Sequence, residues 1–596
     1  MRRAWASAAL ALALCAALAA SAAAQAPAPP IGEPQAIAAA DRDPKVAEQR
    51  AKHPGLRPTA ALVDGSWQVD YFAGDEDVAQ VLVDPNTGLV RESWTGYQVA
   101  WKMARGYEGS FGHRLNAPYV WLPLCAIFLI GLVDWRRPLR MANLDLLVLL
   151  SFGVSHFFFN RGEIGLSAPL VYPPLLYLLG RMLWIGFRGR GEGLRPVWPA
   201  AWLLIAALFL LGFRGGLNVA DSGVIDVGYA GVVGADRVVD GEPIYGEGAF
   251  PEDVGSGDTY GPVNYFAYVP FEQALPWSGT WDELPAAHAA AIFFDLATFA
   301  ALVLLGRRLR PGAEGRRLGA VLGFAWAAYP YAAFVLASNT NDSLVALLLT
   351  LTLLAISSPA LRGATLALAG LTKFSPFILA PLLATYRPDQ GVGQSSGRGE
   401  GEFANATSAG GAANAESAPR GPWSTGGFTF AVTGPVVLRF VVGLLVTAAV
   451  VMATTLFDPG LATFWDRTIA SQIDRDSPFS VWGQEPSLEP LRIAVMAGVA
   501  ALALLVAVRP RRKTVAQVAA LGAALLIGTQ LIAQHWFYLY LVWFLPLLLV
   551  AVGALSPQPA PETARSTAPG RWGRSRSRPP SPTHPPPRSR SEPASA

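Results

Sequence analysis

Thirteen apolar runs recur along this chain, at about 118–133, 143–159, 168–187, 198–213, 286–306, 318–337, 343–357, 363–373, 374–387, 435–457, 491–508, 515–533 and 536–555. Several approach or exceed the ~20 residues that cross a hydrocarbon core, which predicts a polytopic α-helical membrane protein of about 13 transmembrane helices. The two runs that meet at Lys373 are also readable as one broken helix. At the front, Arg2 and Arg3 precede an Ala/Leu run that ends at Ala22-Ala23-Ala24 before Gln25. That is the shape of a secretory signal peptide over 1–24, with an uncleaved first helix as the other reading, and in both cases the segment from Gln25 onward is exported.

Residues 25–35 form a Pro-rich spacer, and 36–100 have a different rhythm from the rest. A charged helical stretch at about 41–52 leads to two alternating strands, Trp67-Gln68-Val69-Asp70-Tyr71-Phe72 and Val78-Ala79-Gln80-Val81-Leu82-Val83. A turn at Asp84-Pro85-Asn86-Thr87-Gly88 opens a third strand from Leu89 to Trp94. This small α+β segment resembles a PepSY-like domain, whose repeats share a W-x-V … V-x-V-D-x-x-T-G-x-V pattern. The resemblance implies binding or modulation, and no catalytic set is visible in the segment.

Charge assigns sides. Short cytoplasmic loops are enriched in Lys and Arg, and the basic loops alternate as an outside start requires: Arg136, Arg137 and Arg140; Arg188, Arg190 and Arg195; Arg307, Arg308, Arg310, Arg316 and Arg317; Arg509, Arg511, Arg512 and Lys513. The outer loop 214–285 holds twelve carboxylates against Arg214 and Arg237. The expected location is the plasma (cytoplasmic) membrane, with 36–100 and that loop extracytoplasmic. The C-terminus falls in the cytoplasm, and the tail after Ser556 holds seven arginines. Gly/Ser/Ala-rich 388–430 and Pro/Ser/Arg-rich 556–596 are expected to be disordered cytoplasmic segments, the tail either touching anionic lipid headgroups or merely solvated. The whole chain has 596 residues, of which 52% are hydrophobic and 15% charged, and this excludes a soluble enzyme and a nucleic-acid-binding protein. Of the two cysteines, Cys15 lies in the signal and Cys125 in an apolar run, so the mature chain has no internal disulfide.

Polar residues collect on the outer side. Asp226 opens a stretch of small residues, 227–235, that lets a helix lie close against its neighbours, and a carboxylate at a helix start is favoured by the helix dipole. Gly241-Glu242-Pro243-Ile244-Tyr245 and Tyr260-Gly261-Pro262 come next in the same loop. Later come Asn341-Asp342, Lys373-Phe374-Ser375-Pro376, Ser477-Pro478-Phe479-Ser480-Val481-Trp482-Gly483, and a last helix with Tyr540-Leu541-Val542-Trp543-Phe544-Leu545-Pro546. In order and sidedness these motifs resemble the polyprenol-dependent membrane glycosyltransferases of the C-type (GT-C) superfamily, most closely glycosyltransferase family 87. The resemblance covers about 200–555; the spans within 118–187 and the N-terminal domain are additions to that pattern. It implies transfer of a hexose, mannose being the candidate, from a polyprenyl-phosphate donor to an extracytoplasmic lipid or glycan acceptor. No separate cofactor is implied; the lipid-linked sugar is the substrate, with membrane lipids as partners.

Each candidate residue carries two readings. Asp226 is the general base, with Asp221 as its rival for that role. Donor-phosphate contacts fall to Arg237, which otherwise pairs with Asp236 or Asp240; to Lys373, which otherwise snorkels; and to His535, which otherwise joins an interfacial aromatic belt. Sugar or acceptor contacts fall to Tyr260, to Asn341 and Asp342, which otherwise cap the next helix, and to Trp482 and Gln484. Glu272 is a second outward acid. One base and a phosphate leaving group imply inversion at C1. No metal site is legible, and Asp474-Arg475-Asp476 is expected to neutralise itself. A membrane-anchored sensor or modulator acting through the N-terminal domain is the alternative, and a transporter the third reading.

Overall fold

The computed structural model describes residues 31–555 apart from 64, 108–112, 192, 252–256, 280–283, 389–433, 456–458 and 472–476. The signal peptide, most of the spacer, nearly all of the 388–430 loop, the tail 556–596 and Asp474-Arg475-Asp476 lie outside the described residues. The described chain is mostly helical, with one small sheet near the front.

The small domain has two helices, α1 (Glu33–Ala40) and α2 (Pro44–Lys52), on a four-stranded antiparallel meander. Its strands are β1 (Arg57–Val63), β2 (Ser66–Ala73), β3 (Glu76–Val83) and β4 (Val90–Thr95), in sheet order β1-β2-β3-β4. Alternation puts Val69, Tyr71, Val81 and Val83 inward against Ala36, Ala40 and Val46. The turn before β4 is held by Asp84 Oδ1, which accepts from the Asn86 and Thr87 amides at 2.8 Å each. Two elements go beyond the sequence expectation. Helix α1 begins inside the expected spacer, and β1 adds an edge strand whose outer half is exposed, so it lacks an apolar alternation.

Among the described residues, six helices are long and apolar enough to cross a membrane, or seven if a bent pair counts as one span, and five further apolar helices are 10–17 residues long. This is the build of a membrane-embedded protein. The difference from thirteen runs comes mostly from helices shorter than a full span, such as Pro118–Leu132, Asp342–Leu354 and Val515–Leu531, and from breaks within runs. At one of them, α10 (Gly312–Ala328) bends by 55° into α11 (Pro330–Ala337). Pro330 has no amide to offer the turn before it, and Arg214 Nη1 binds the carbonyls of Trp326 and Ala327 at 3.2 Å instead. Arg214 belongs to α6 (Ala200–Ala220), which runs seven residues past the expected start of the outer loop.

The helices also contain more charge than the apolar runs suggest, including two buried ion pairs. Arg214 bonds Asp295 of α9 (Pro285–Leu309), which also accepts from Trp326 Nε1 at 2.9 Å. Arg181 of α5 (Tyr172–Arg188) bonds Asp145 of α4 (Met141–Phe159). Each pair is almost fully buried.

The basic loops meet one another. Arg140 Nη2 bonds the Gly193 carbonyl (2.9 Å), Arg317 Nη2 that of Pro196 (2.9 Å) and Arg310 Nη2 that of Leu555 (2.9 Å), while the Lys513 amide donates to Arg387 (3.4 Å). The polar loops meet separately. The Arg114 amide donates to Asp221 (3.1 Å), Asn339 Nδ2 to the Gly223 carbonyl (2.9 Å) and Gln484 Nε2 to that of Ile164 (2.9 Å).

Candidate functional site

The polar loops enclose a cavity of about 430 Å³, within the ~300–1,000 Å³ usual for small-molecule sites. Asp226 lines it at the first turn of α7 (Asp226–Asp240). Three glycines one turn apart bring this helix against its neighbours. A Cβ on Gly231 would lie 2.8 Å from the Tyr268 ring, and one on Gly234 2.1 Å from that of Tyr265, both tyrosines belonging to α8 (Pro262–Ala274). A Cβ on Gly228 would meet the Asn339 carbonyl at 2.3 Å. Asn339, in the left-handed region at φ 51°, accepts from Asn218 Nδ2 (2.7 Å) and donates to Ser222 Oγ (3.0 Å). The start of α7 is thus fixed on two sides, and Asp226 with it.

Three basic side chains share the cavity with Asp226: Lys373, Arg492 and His535. Lys373 sits in the break between α12 (Pro359–Gly370) and the short helical segment from Ser375. Its ammonium lies 2.6 Å from Asp342 Oδ1 and within 5.2–5.7 Å of the Tyr260, Tyr540 and Trp543 ring centres. Asp342 is wholly buried and also accepts from Thr340 Oγ1 (2.7 Å) and Trp543 Nε1 (2.7 Å). Its carboxylate therefore binds Lys373 from beneath and makes no side-chain cap.

Arg492 lies one turn into α14 (Glu489–Val508). Its Nη1 bonds Glu489 (2.9 Å) and Gln534 Oε1 (3.1 Å), whereas its Nε is buried with no acceptor. Arg492 thus brings guanidinium charge to the cavity wall, where an anion can pair with it. His535 Nδ1 is 2.8 Å from Ser477 Oγ, and its ring meets the Phe479 ring edge-on at 5.3 Å.

Tyr260-Gly261-Pro262 is held against the Lys373 turn. The Gly261 amide donates to Thr372 (3.3 Å) and that of Val263 to Leu371 (3.1 Å). A Cβ on Gly261 would lie 2.0 Å from the Leu371 carbonyl oxygen, so only glycine fits. Asp258, two residues before Tyr260, takes two bonds from Arg467 (2.5 and 2.9 Å) and ties this loop to the segment that supplies Thr468 and Ile469 to the wall.

The small domain also reaches the site through the segment that leaves it. Met103 lines the cavity, and Trp101 packs edge-on against Phe479 at 4.8 Å. Arg105 anchors this segment to the sheet, bonding Gln80 of β3 (2.7 Å) and the Gln98 carbonyl (2.7 Å) and lying over Trp94 of β4 (5.4 Å).

Of the residues singled out from sequence, Asp226, Tyr260, Lys373 and His535 therefore share one cavity. The others lie elsewhere. Asp221 accepts from the Arg114 amide and faces His113 (3.8 Å) and Arg114 (3.6 Å). Arg237 pairs with Glu242 (2.9 Å) and bonds the Pro243 carbonyl, away from Asp236 and Asp240. Asn341 bonds Asn264 (2.6 Å) in full burial. Trp482 donates to the Leu531 carbonyl (2.9 Å), and Gln484 to those of Ile164 and Pro478, so both brace the outer loops. Glu272 is buried beside Gln273 and Trp277.

Arg492, Gln534 and Met103 also line the cavity, and the sequence motifs do not point to them. For Arg492 a signal exists: a lone arginine at the head of an apolar run is costly without an anionic partner. Among the described residues, no group of three or more His, Cys, Asp or Glu side chains could hold a metal ion together. No family model matches this chain, and no curated protein does.

Proposed function

We propose that the chain is an inverting membrane glycosyltransferase of the polyprenol-dependent, GT-C-like kind. It transfers a hexose from a polyprenyl-phosphate donor to an extracytoplasmic lipid or glycan acceptor. The observation that carries this reading is the shared cavity, in which a carboxylate at a helix start is enclosed with two cations and an imidazole. The acceptor hydroxyl gives its proton to Asp226 as its oxygen bonds to the sugar's C1. The bond from C1 to the phosphate oxygen breaks with its electron pair, and polyprenyl phosphate leaves. The Arg492 guanidinium supplies positive charge for the charge that builds on the departing oxygen, with Lys373 and His535 in the same wall. Lys373 is already neutralised by Asp342, so it contributes less than an unpaired ammonium would. Tyr260, Tyr540 and Trp543 give the ring faces on which a sugar can lie. Asp221 lies at His113 and Arg114 outside the cavity that Asp226 lines, which favours Asp226 for the base role.

The test is turnover by the purified full-length protein with a radiolabelled polyprenyl-phosphate hexose and extracted envelope lipids. Asp226→Asn should lose roughly 10²–10⁴-fold in turnover and retain donor binding, and the native reaction should persist in excess chelator. Undiminished turnover in Asp226→Asn would remove it from the base role.

A further inference from the structure

At the arginine-rich end of the helices, a second cavity of about 530 Å³ opens between α4 and α5, lined by Met141, Leu176, Tyr177, Gly180, Arg181 and Trp184. Met141, Leu176 and Trp184 are exposed apolar side chains, as expected of a face turned to lipid. Tyr177, Arg181, Trp184 and Arg188 recur every three or four residues and form one stripe along α5. Arg181 gives its Nε to both oxygens of Asp145 (3.1 and 3.0 Å), but its Nη2 is buried and bonded to nothing. The Arg188 guanidinium lies 4.9 Å from the Trp184 ring centre. Asp145 cancels the charge of Arg181, and Arg188 leaves the stripe positive. Arg181 is seven residues from the helix end, or about 10 Å, which is headgroup-to-glycerol depth rather than mid-bilayer. Water has few polar partners between Met141, Leu176 and Trp184. What suits such walls is an amphiphile with an apolar chain and an anionic head.

We propose that this groove is a binding site for one anionic glycerophospholipid. Its acyl chain lies along Leu176 and Met141, and its phosphate accepts from the Arg188 guanidinium over Trp184. The site is independent of the glycosyl-transfer reading. Gly180 offers a clean probe, because a Cβ there would meet no atom within 4 Å. Gly180→Leu therefore fills the groove, leaves the Arg181–Asp145 pair untouched and favours the helix.

The full-length protein, delipidated in detergent, would be titrated with phosphatidylglycerol, phosphatidylcholine or polyprenyl phosphate, and bound lipid counted by native mass spectrometry. Phosphatidylglycerol should be retained at least fivefold over phosphatidylcholine, one molecule per chain. Gly180→Leu and Arg188→Gln should each reduce that retention at least fivefold with the melting temperature unchanged. Equal retention of the two phospholipids, full retention by Gly180→Leu, or a preference for polyprenyl phosphate would each overturn the proposal.

Discussion

Lys373 and Arg492 face one cavity but are held differently, and this separates their mutant phenotypes. Lys373 is the counter-ion of a carboxylate with no exposure at all. Lys373→Met would leave Asp342 as an unpaired buried charge, a loss of about 3–5 kcal/mol, so it should lower the melting temperature and the yield before any kinetics are measured. Arg492 pairs with a Glu489 that is half exposed, a contact worth at most about 1 kcal/mol. Arg492→Gln should therefore fold normally and raise the KM for the lipid-linked donor, on the order of ten- to a hundredfold for a lost charge-assisted hydrogen bond. A variant with native donor KM would remove Arg492 from phosphate binding. The two residues also differ in how far sequence reveals them. Lys373 is the only lysine between 103 and 512 and splits an apolar stretch. Arg492 merges into the start of a run, and nothing local shows that one of its nitrogens is left without an acceptor. Asp342 reads equally well as a cap because a cap depends on neighbours in sequence, whereas its partners Lys373 and Trp543 come from a turn and a helix far along the chain.

At the scale of elements, strands with one buried face are legible and the edge strand is not. β2 and β3 alternate because each has a core side; β1 buries little and its residues carry no period. The packing of α7 is legible only as a run of small residues. Which tyrosines fill the glycine positions depends on α8, thirty residues on. The β2–β3 pair also contains a titratable strain point. The register shifts beside Phe72, where Asp77 has one oxygen buried without a partner. Burial first, and then the nearby Asp70, push its carboxyl up to about 6 from an ordinary 3.8. The folded domain thus holds a proton that the unfolded chain has released between about pH 4 and 6. By linkage the stability of this domain falls as pH rises through that window and levels off above it. Amide exchange of strands 66–83 in the full-length protein should accelerate from pH 4.5 to 7 beyond the intrinsic rate, and Asp77→Asn should abolish the excess. A native-like pH response in Asp77→Asn would assign the effect to another group.

At the scale of the whole molecule, the arrangement of loops is what gives the cavity its chemistry. Arginine-bearing loops 53 to 245 residues apart bond to one another at Gly193, Pro196 and Leu555, and the polar loops bond to one another at Asp221, Gly223 and Ile164. The alternation of basic loops along the sequence carries this grouping, because loop charge depends on side and not on packing. The convergence of Met103, Phe374 and Arg492 on one space is not legible, since each belongs to a different element and only tertiary packing brings them together. The proposed reaction requires more than two groups of loops: the cavity must open outside, where a lipid-linked sugar presents its phosphate at headgroup depth. Tyr97 and Leu139 are suitable reporters, one beside the segment that walls the cavity and one among the basic loops, at 49% and 99% exposure. In a Cys125→Ala background, Tyr97→Cys should react with a membrane-impermeant maleimide on intact cells, and Leu139→Cys only after permeabilisation. The reverse pattern would place Asp226 on the cytoplasmic side, facing nucleotide-linked sugars instead, and would end the polyprenyl-phosphate reading even if the cavity geometry stood unchanged.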